Sequence, residues 1–167
     1  MARTSYATRT QMGHILAALM PTNNLIVRVC MKTGLRISDV LVLKTCTLKP
    51  RQTIRELKTG KARRVEWGQS LYQEMLAQAG AIWVFEGRTD PKRHRTRQAV
   101  YKDIKHAEAV YKRSGTLSHG QTIGTHTARK IAAVRAYQRG GLKAAQKMLN
   151  HSDPAITLLY ALADKEM

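Results

Sequence analysis

The unit His-Thr-Ala-Arg places His126 and Arg129 three residues apart, on one face of a helix, and His151 follows 22 residues after Arg129. Nine positions further on stands Tyr160. In the other half of the chain, Arg36 sits within Thr-Gly-Leu-Arg-Ile-Ser-Asp-Val, just past a helix stop, and Lys58 opens the run Lys-Thr-Gly-Lys. Guanidinium groups stay charged at every relevant pH and grip anionic oxygens with a two-pronged fork. Imidazoles exchange protons near neutrality, and a phenol can serve as a nucleophile. Each residue taken alone has a plainer reading. His-x-x-Arg arises by chance on solvated helical faces, a loop arginine usually meets water, and a tyrosine four residues after Ile156 usually packs in a core. Only the combination asks for an anionic substrate.

The charge balance asks for the same thing. The chain has 167 residues, the length of one domain with a single core of ordinary size. Its 29 Lys and Arg against 11 Asp and Glu leave +18, a self-repulsion that a polyanion relieves. Nucleic acid fits such charge better than a membrane surface or an acidic protein. Basic residues crowd 51–64, 88–105 and 129–147 with carboxylates between them, the pattern of a folded surface and not of a polybasic arm. Two Trp, six Tyr and one Phe are few for a platform that stacks single-stranded bases, so the expected partner is double-stranded DNA. No apolar run approaches eighteen residues and no charged-then-apolar leader follows Met1, so the expectation is a cytoplasmic protein without a membrane partner. Cys30 and Cys46 lack C-x-x-C spacing and are expected as reduced core residues, neither disulfide partners nor metal ligands.

The elements that must position these groups read as helices interrupted by one hairpin. Apolar residues at helical spacing predict helices over 10–20 and 23–33, with Thr10 and Asn23 as N-caps and Gly34 as the stop of the second, and a short helix over 38–44. Alternation over 53–57 and 64–67 predicts two strands joined across 58–61, where Gly60 takes the positive φ of a tight turn. Helices follow over 70–79, capped by Ser70, and over 96–113. The apolar segment 81–85 is either strand or buried helix. After a Ser/Gly-rich loop over 114–124, Thr125 is expected to cap a helix to about 139, Gly140 and Gly141 to break it, and 142–149 to form another. Ser152 and Asp153 before Pro154 predict a terminal helix, with Tyr160 near its second turn. The fold class is mainly α with a small antiparallel β-hairpin, α+β.

Thr-Gly-Leu-Arg-Ile-Ser-Asp, the Lys-Thr-Gly-Lys hairpin, His-x-x-Arg, and Leu-Asn-His with tyrosine nine residues on, in this order and spacing, closely resemble the tyrosine recombinase (phage integrase) family. The resemblance runs over roughly 10–164 and implies that 1–167 is a single catalytic domain of that type, without the N-terminal core-binding domain. It implies Arg36 and Arg129 as paired arginines, His126 as the first residue of His-x-x-Arg, His151 at the later His position, Lys58 as the hairpin lysine and Tyr160 as the nucleophile. The implied reaction is site-specific cleavage and rejoining of duplex DNA through a 3′-phosphotyrosyl bond, without metal or ATP. The chain is expected to be monomeric off DNA, to self-associate on it as a tetrameric synapse, and to come from a bacterium or phage. Asp39 stands where the family more often has Glu and is expected to orient an arginine; Ala128 and Asn150 also depart from the pattern. Arg129→Lys is expected to spare folding while crippling cleavage. Two other readings remain open, a type IB topoisomerase-like or telomere-resolvase-like nicking enzyme and a basic DNA-binding module without chemistry.

Overall fold

In the computed structural model, which describes Ser5 and residues 7–150, helix α2 (Pro21–Thr33) is the element on which the others are laid. Leu25, Ile26, Val27, Val29, Cys30 and Met31 are all buried, so the helix is apolar around most of its circumference and must be covered on several sides. α1 (Arg9–Ala18), α3 (Ile37–Leu41), α4 (Gln69–Gln78) and α6 (Thr127–Leu149) supply that cover, with α6 making the most extensive contact. α5 (Arg97–Arg113) packs against α1 and α3. The only sheet among the described residues is the antiparallel pair β1 (Arg51–Arg55) and β2 (Ala62–Glu66), in register from Arg51 opposite Glu66 to Arg55 opposite Ala62. The mainly helical fold with one small antiparallel hairpin is the class expected from the sequence.

Several boundaries differ from their expected places, each for a local reason. α1 starts one residue earlier than expected because Thr8, not Thr10, caps it, in a reciprocal pair with Gln11. α2 begins with Pro21, whose missing N–H suits the first turn, and Asn23 is buried and bonded to Asp103 and Arg95 instead of capping. Gly68 precedes α4, and Ser70 bonds Glu74 from within the helix. The segment 81–85 is neither helix nor ladder. Val84 and Phe85 are fully buried, and the backbone is satisfied by isolated bridges such as Lys44 with Trp83. His126, not Thr125, is the N-cap of α6, while the Thr127 hydroxyl accepts from the Gly124 N–H at 3.1 Å. Thr96 caps α5, which therefore starts one residue later than expected, and α6 kinks at Gly140 and Gly141 where a break was expected. Cys30 lies in the core, but Cys46 is exposed in the turn before β1, which corrects its assignment as a core residue. The terminal helix expected from 152 lies outside the described residues. Among those described, no helix is long and apolar enough to cross a membrane.

At Gly34 the ends of two helices come close. This glycine ends α2 with φ +68°, and a Cβ there would lie 2.9 Å from the Met148 carbonyl oxygen near the end of α6. Gly60, at the hairpin tip, has φ +67° with nothing within 4 Å of a Cβ. The two glycines therefore separate backbone strain from steric exclusion. In urea denaturation, Gly60→Ala is expected to cost about 1 kcal/mol and Gly34→Ala about 3 kcal/mol or more, because only the second also forces α2 and α6 apart.

Candidate active site

Four segments distant in sequence meet at one pocket of about 160 Å³, lined among others by Arg36, Lys58, Arg97, Thr125, His126 and Arg129. A larger surface cleft of about 510 Å³ lies beside Arg88, Arg95 and Asp103. The smaller pocket is singled out by its charge, not its size: every ionisable group on its wall is basic.

Arg36 arrives as the residue between the α2 stop and α3. Its backbone N–H donates to Asp39 Oδ2 at 3.3 Å, and Asp39 Oδ1 accepts from the Leu57 N–H at 2.9 Å. Asp39 therefore ties the start of α3 to the end of β1 by their backbones, and does not orient a guanidinium as expected. That task falls to Glu56. Its fully buried carboxylate accepts from Arg36 Nη1 at 2.5 Å, lies 3.6 Å from Arg63 Nη1, and accepts from the Thr59 hydroxyl at 3.0 Å and the Asn150 amide at 3.5 Å. Burial pushes the Glu56 carboxyl up, but the hydrogen bonds from Arg36 and Thr59 and the charges of Arg36 and Arg129 outweigh it, so its pKa is held below the ordinary carboxylate value.

Arg129, in the first turn of α6, is only 4% exposed. Its Nη1 donates to the Gly34 carbonyl and its Nη2 to the Leu149 carbonyl at 2.6 Å, so one guanidinium joins the ends of α2 and α6 behind the pocket. This anchoring gives Arg129 a structural part beyond the expected one, and an ammonium cannot reproduce the planar span. Lys58 stands exposed at the hairpin tip, where Glu56 N–H bonds the Lys61 carbonyl and Gly60 N–H bonds the Glu56 carbonyl at 2.8 Å. His126 opens α6 at the pocket mouth. Partial loss of solvent, then the charges of Arg97, Arg129, Arg36 and Lys58, hold its imidazole below its ordinary pKa, so the ring is neutral at pH 7.

Arg36, Lys58, His126 and Arg129 are thus brought together, whereas His151 and Tyr160 lie outside the described residues. Glu56 and Arg97 were absent from the residues expected of the site. Glu56 had a readable signal: it is in phase with buried Ile54 on β1, as Arg63 is with buried Val65 on β2, so both charges are on the side of the hairpin that faces the core. Among the described residues, no group of three or more His, Cys, Asp or Glu is placed to hold a metal ion.

The model of the Phage integrase family matches residues 6–167. The chain belongs to the phage integrase family. The probable integrase/recombinase YoeC of Bacillus subtilis (strain 168) is 30% identical over 144 residues, spanning 80% of this chain and 74% of that protein. A lambda integrase dimer bound to a COC′ core site shares the fold with a TM-score of 0.77 at 18% identity, over 96% of this chain and 60% of the other. XerA recombinase does so with a TM-score of 0.73 at 17% identity, over 99% and 65%. This chain therefore spans less than two thirds of the length of either structure. Its fold is shared with these integrase and recombinase structures.

Removing the Glu56 carboxylate leaves the Arg36 and Arg63 charges facing one another. Glu56→Ala is expected to lower stability by about 3 kcal/mol at pH 7 in urea denaturation. Because the folded pKa of Glu56 is depressed, its contribution is complete above the unfolded value of about 4.3 and is lost as pH falls below that through the folded value. The difference between wild type and Glu56→Gln should accordingly narrow on acidification from pH 5 to pH 3.

Proposed function

We propose that this chain is a site-specific recombinase that cuts and rejoins duplex DNA through a covalent 3′-phosphotyrosyl intermediate, with Tyr160 as nucleophile. The observation that carries the reading is the meeting of Arg36, Lys58, His126 and Arg129 around one small cationic pocket. The neighbouring structures are consistent with it, since lambda integrase is seen as a dimer on a core site and as a tetramer on a Holliday junction.

The Tyr160 oxygen attacks the phosphorus while its proton passes to a base, for which the neutral imidazole of His126 is suited. A bond forms between the phenolic oxygen and phosphorus, and the bond from phosphorus to the 5′ oxygen breaks. Charge building on the non-bridging oxygens is met by the guanidiniums of Arg36 and Arg129, whose positions are fixed beforehand by Glu56 and by the helix-end carbonyls. The departing 5′ oxygen takes a proton from Lys58, whose place at a hairpin tip lets it approach from the groove. His151 adds a hydrogen bond to the phosphate. An aryl ester of phosphate is a good leaving group, so attack by the 5′-hydroxyl of another strand reverses these steps without ATP. Guanidiniums held this way supply the charge that divalent ions supply in other phosphoryl transfers. The enzyme is expected to be a monomer that assembles into a tetrameric synapse on DNA.

A labelled site duplex nicked a few nucleotides beyond the cleavage point loses the short fragment that carries the freed 5′-hydroxyl, which traps the adduct. Wild type should give a covalent complex that survives denaturing electrophoresis, and Tyr160→Phe should give none; an adduct persisting in that variant overturns the assignment. Arg36→Ala should lower the trapping rate by about 10²-fold or more. Arg129→Lys should lose both cleavage and part of its resistance to urea, because Arg129 serves the fold and the phosphate together.

A further inference from the structure

Arg97 lies on the pocket wall with Arg36, Lys58, His126 and Arg129, yet nothing in the sequence motifs points to it. We propose that Arg97 is a third guanidinium of the active pocket and closes on the reacting phosphate when DNA enters. The proposal rests on the reading of this pocket as a phosphodiester-cleaving site.

The backbone that carries Arg97 is tightly held. The Thr96 hydroxyl accepts from the Ala99 N–H at 3.1 Å, Arg95 is buried with its Nε bonded to Asn23 at 2.5 Å, and Val100, Ile104 and Ala107 anchor α5 in the core. The side chain is the opposite. It is exposed, and among the described residues its guanidinium has neither a hydrogen bond nor an ion pair. Arg36 is already bonded to Glu56 and Arg129 to two carbonyls, so part of their donor capacity is committed to the protein. Arg97 can turn all its donors to phosphate oxygens without breaking a bond first.

Its charge is also misplaced for the free protein. Arg97 is the first residue of α5, where the helix dipole favours an anion, and the first turn holds no acidic residue to compensate. Across the pocket stand Lys58, Arg36 and Arg129, all of the same sign. Such a placement destabilises the empty pocket and becomes favourable when a phosphate occupies it. After burial, the charge of Arg97 is the first of the cations that lower the His126 pKa, and both residues line the same pocket.

The test is single-turnover adduct formation on the nicked duplex at saturating DNA, beside equilibrium binding in the Tyr160→Phe background and thermal unfolding without DNA. Arg97→Gln is expected to slow adduct formation by on the order of 10²-fold, to weaken binding by less than about tenfold, and to leave the melting temperature unchanged or raise it by roughly 1–3 °C. Arg97→Lys should recover part of the rate. Adduct formation within twofold of wild type would overturn the proposal. So would a binding loss as large as the rate loss, which marks an ordinary backbone contact, or a fall in melting temperature, which marks a structural role. Failure of wild type itself to form an adduct would instead sink the reading of the pocket on which the proposal rests.

Discussion

One buried carboxylate, that of Glu56, makes it possible for like charges to share the wall of this pocket. Two unit charges about 5 Å apart repel by about 3 kcal/mol at an effective dielectric near 20, and more cations raise the total pairwise. Glu56 stands against Arg36 on one oxygen and Arg63 on the other, with Thr59 and Asn150 completing its hydrogen bonds. Its position just past the end of β1 means that the hairpin does two things at once. It carries the exposed Lys58 two residues further on, and it neutralises the arginine that enters from the opposite side of the pocket.

Helix ends organise the remaining charge. The C-terminal carbonyls of α2 and α6, at Gly34 and Leu149, both accept from Arg129, placing a cation where two helix dipoles are negative. Residues at the N-termini of α5 and α6, Arg97 and His126, line the pocket, so the positive ends of both helices lie near it. The same secondary structure thus holds an arginine from behind and favours an anion in front. Gly34 permits this, because only a residue without a side chain lets the end of α2 approach Met148 closely enough for one guanidinium to span both helices.

An arrangement of this kind is stable only by compensation. The apolar burial of α2 by α1, α3, α4 and α6 carries the fold, and the pocket draws on that stability to keep charges together that would otherwise separate. Arg129 is where the two demands coincide, since one guanidinium both lines the cationic pocket and joins the two helices of most extensive contact.

The hairpin turn at Gly60 and the break at Gly140 were legible locally, because each depends on a signal contained within a few residues, whereas Arg36, Lys58, His126 and Arg129 were marked only by the order of motifs along the whole chain and the family resemblance it carries. The phase of Glu56 with Ile54 was also written in the strand, although a charged residue there reads as solvent-facing until its partners are known. Which carboxylate would hold Arg36 was not local: Asp39, three residues away, went to backbone N–H groups, and Glu56, twenty residues away, took the guanidinium. Arg97 joined the pocket only because α5 packs against α3, and Cys46 stayed outside the core only because its turn lies on the surface. Hydrogen bonds within a turn are chosen by neighbours in the chain, whereas the pairing of buried charges is chosen by whichever elements the core brings together, and that choice exists only once the helices have packed.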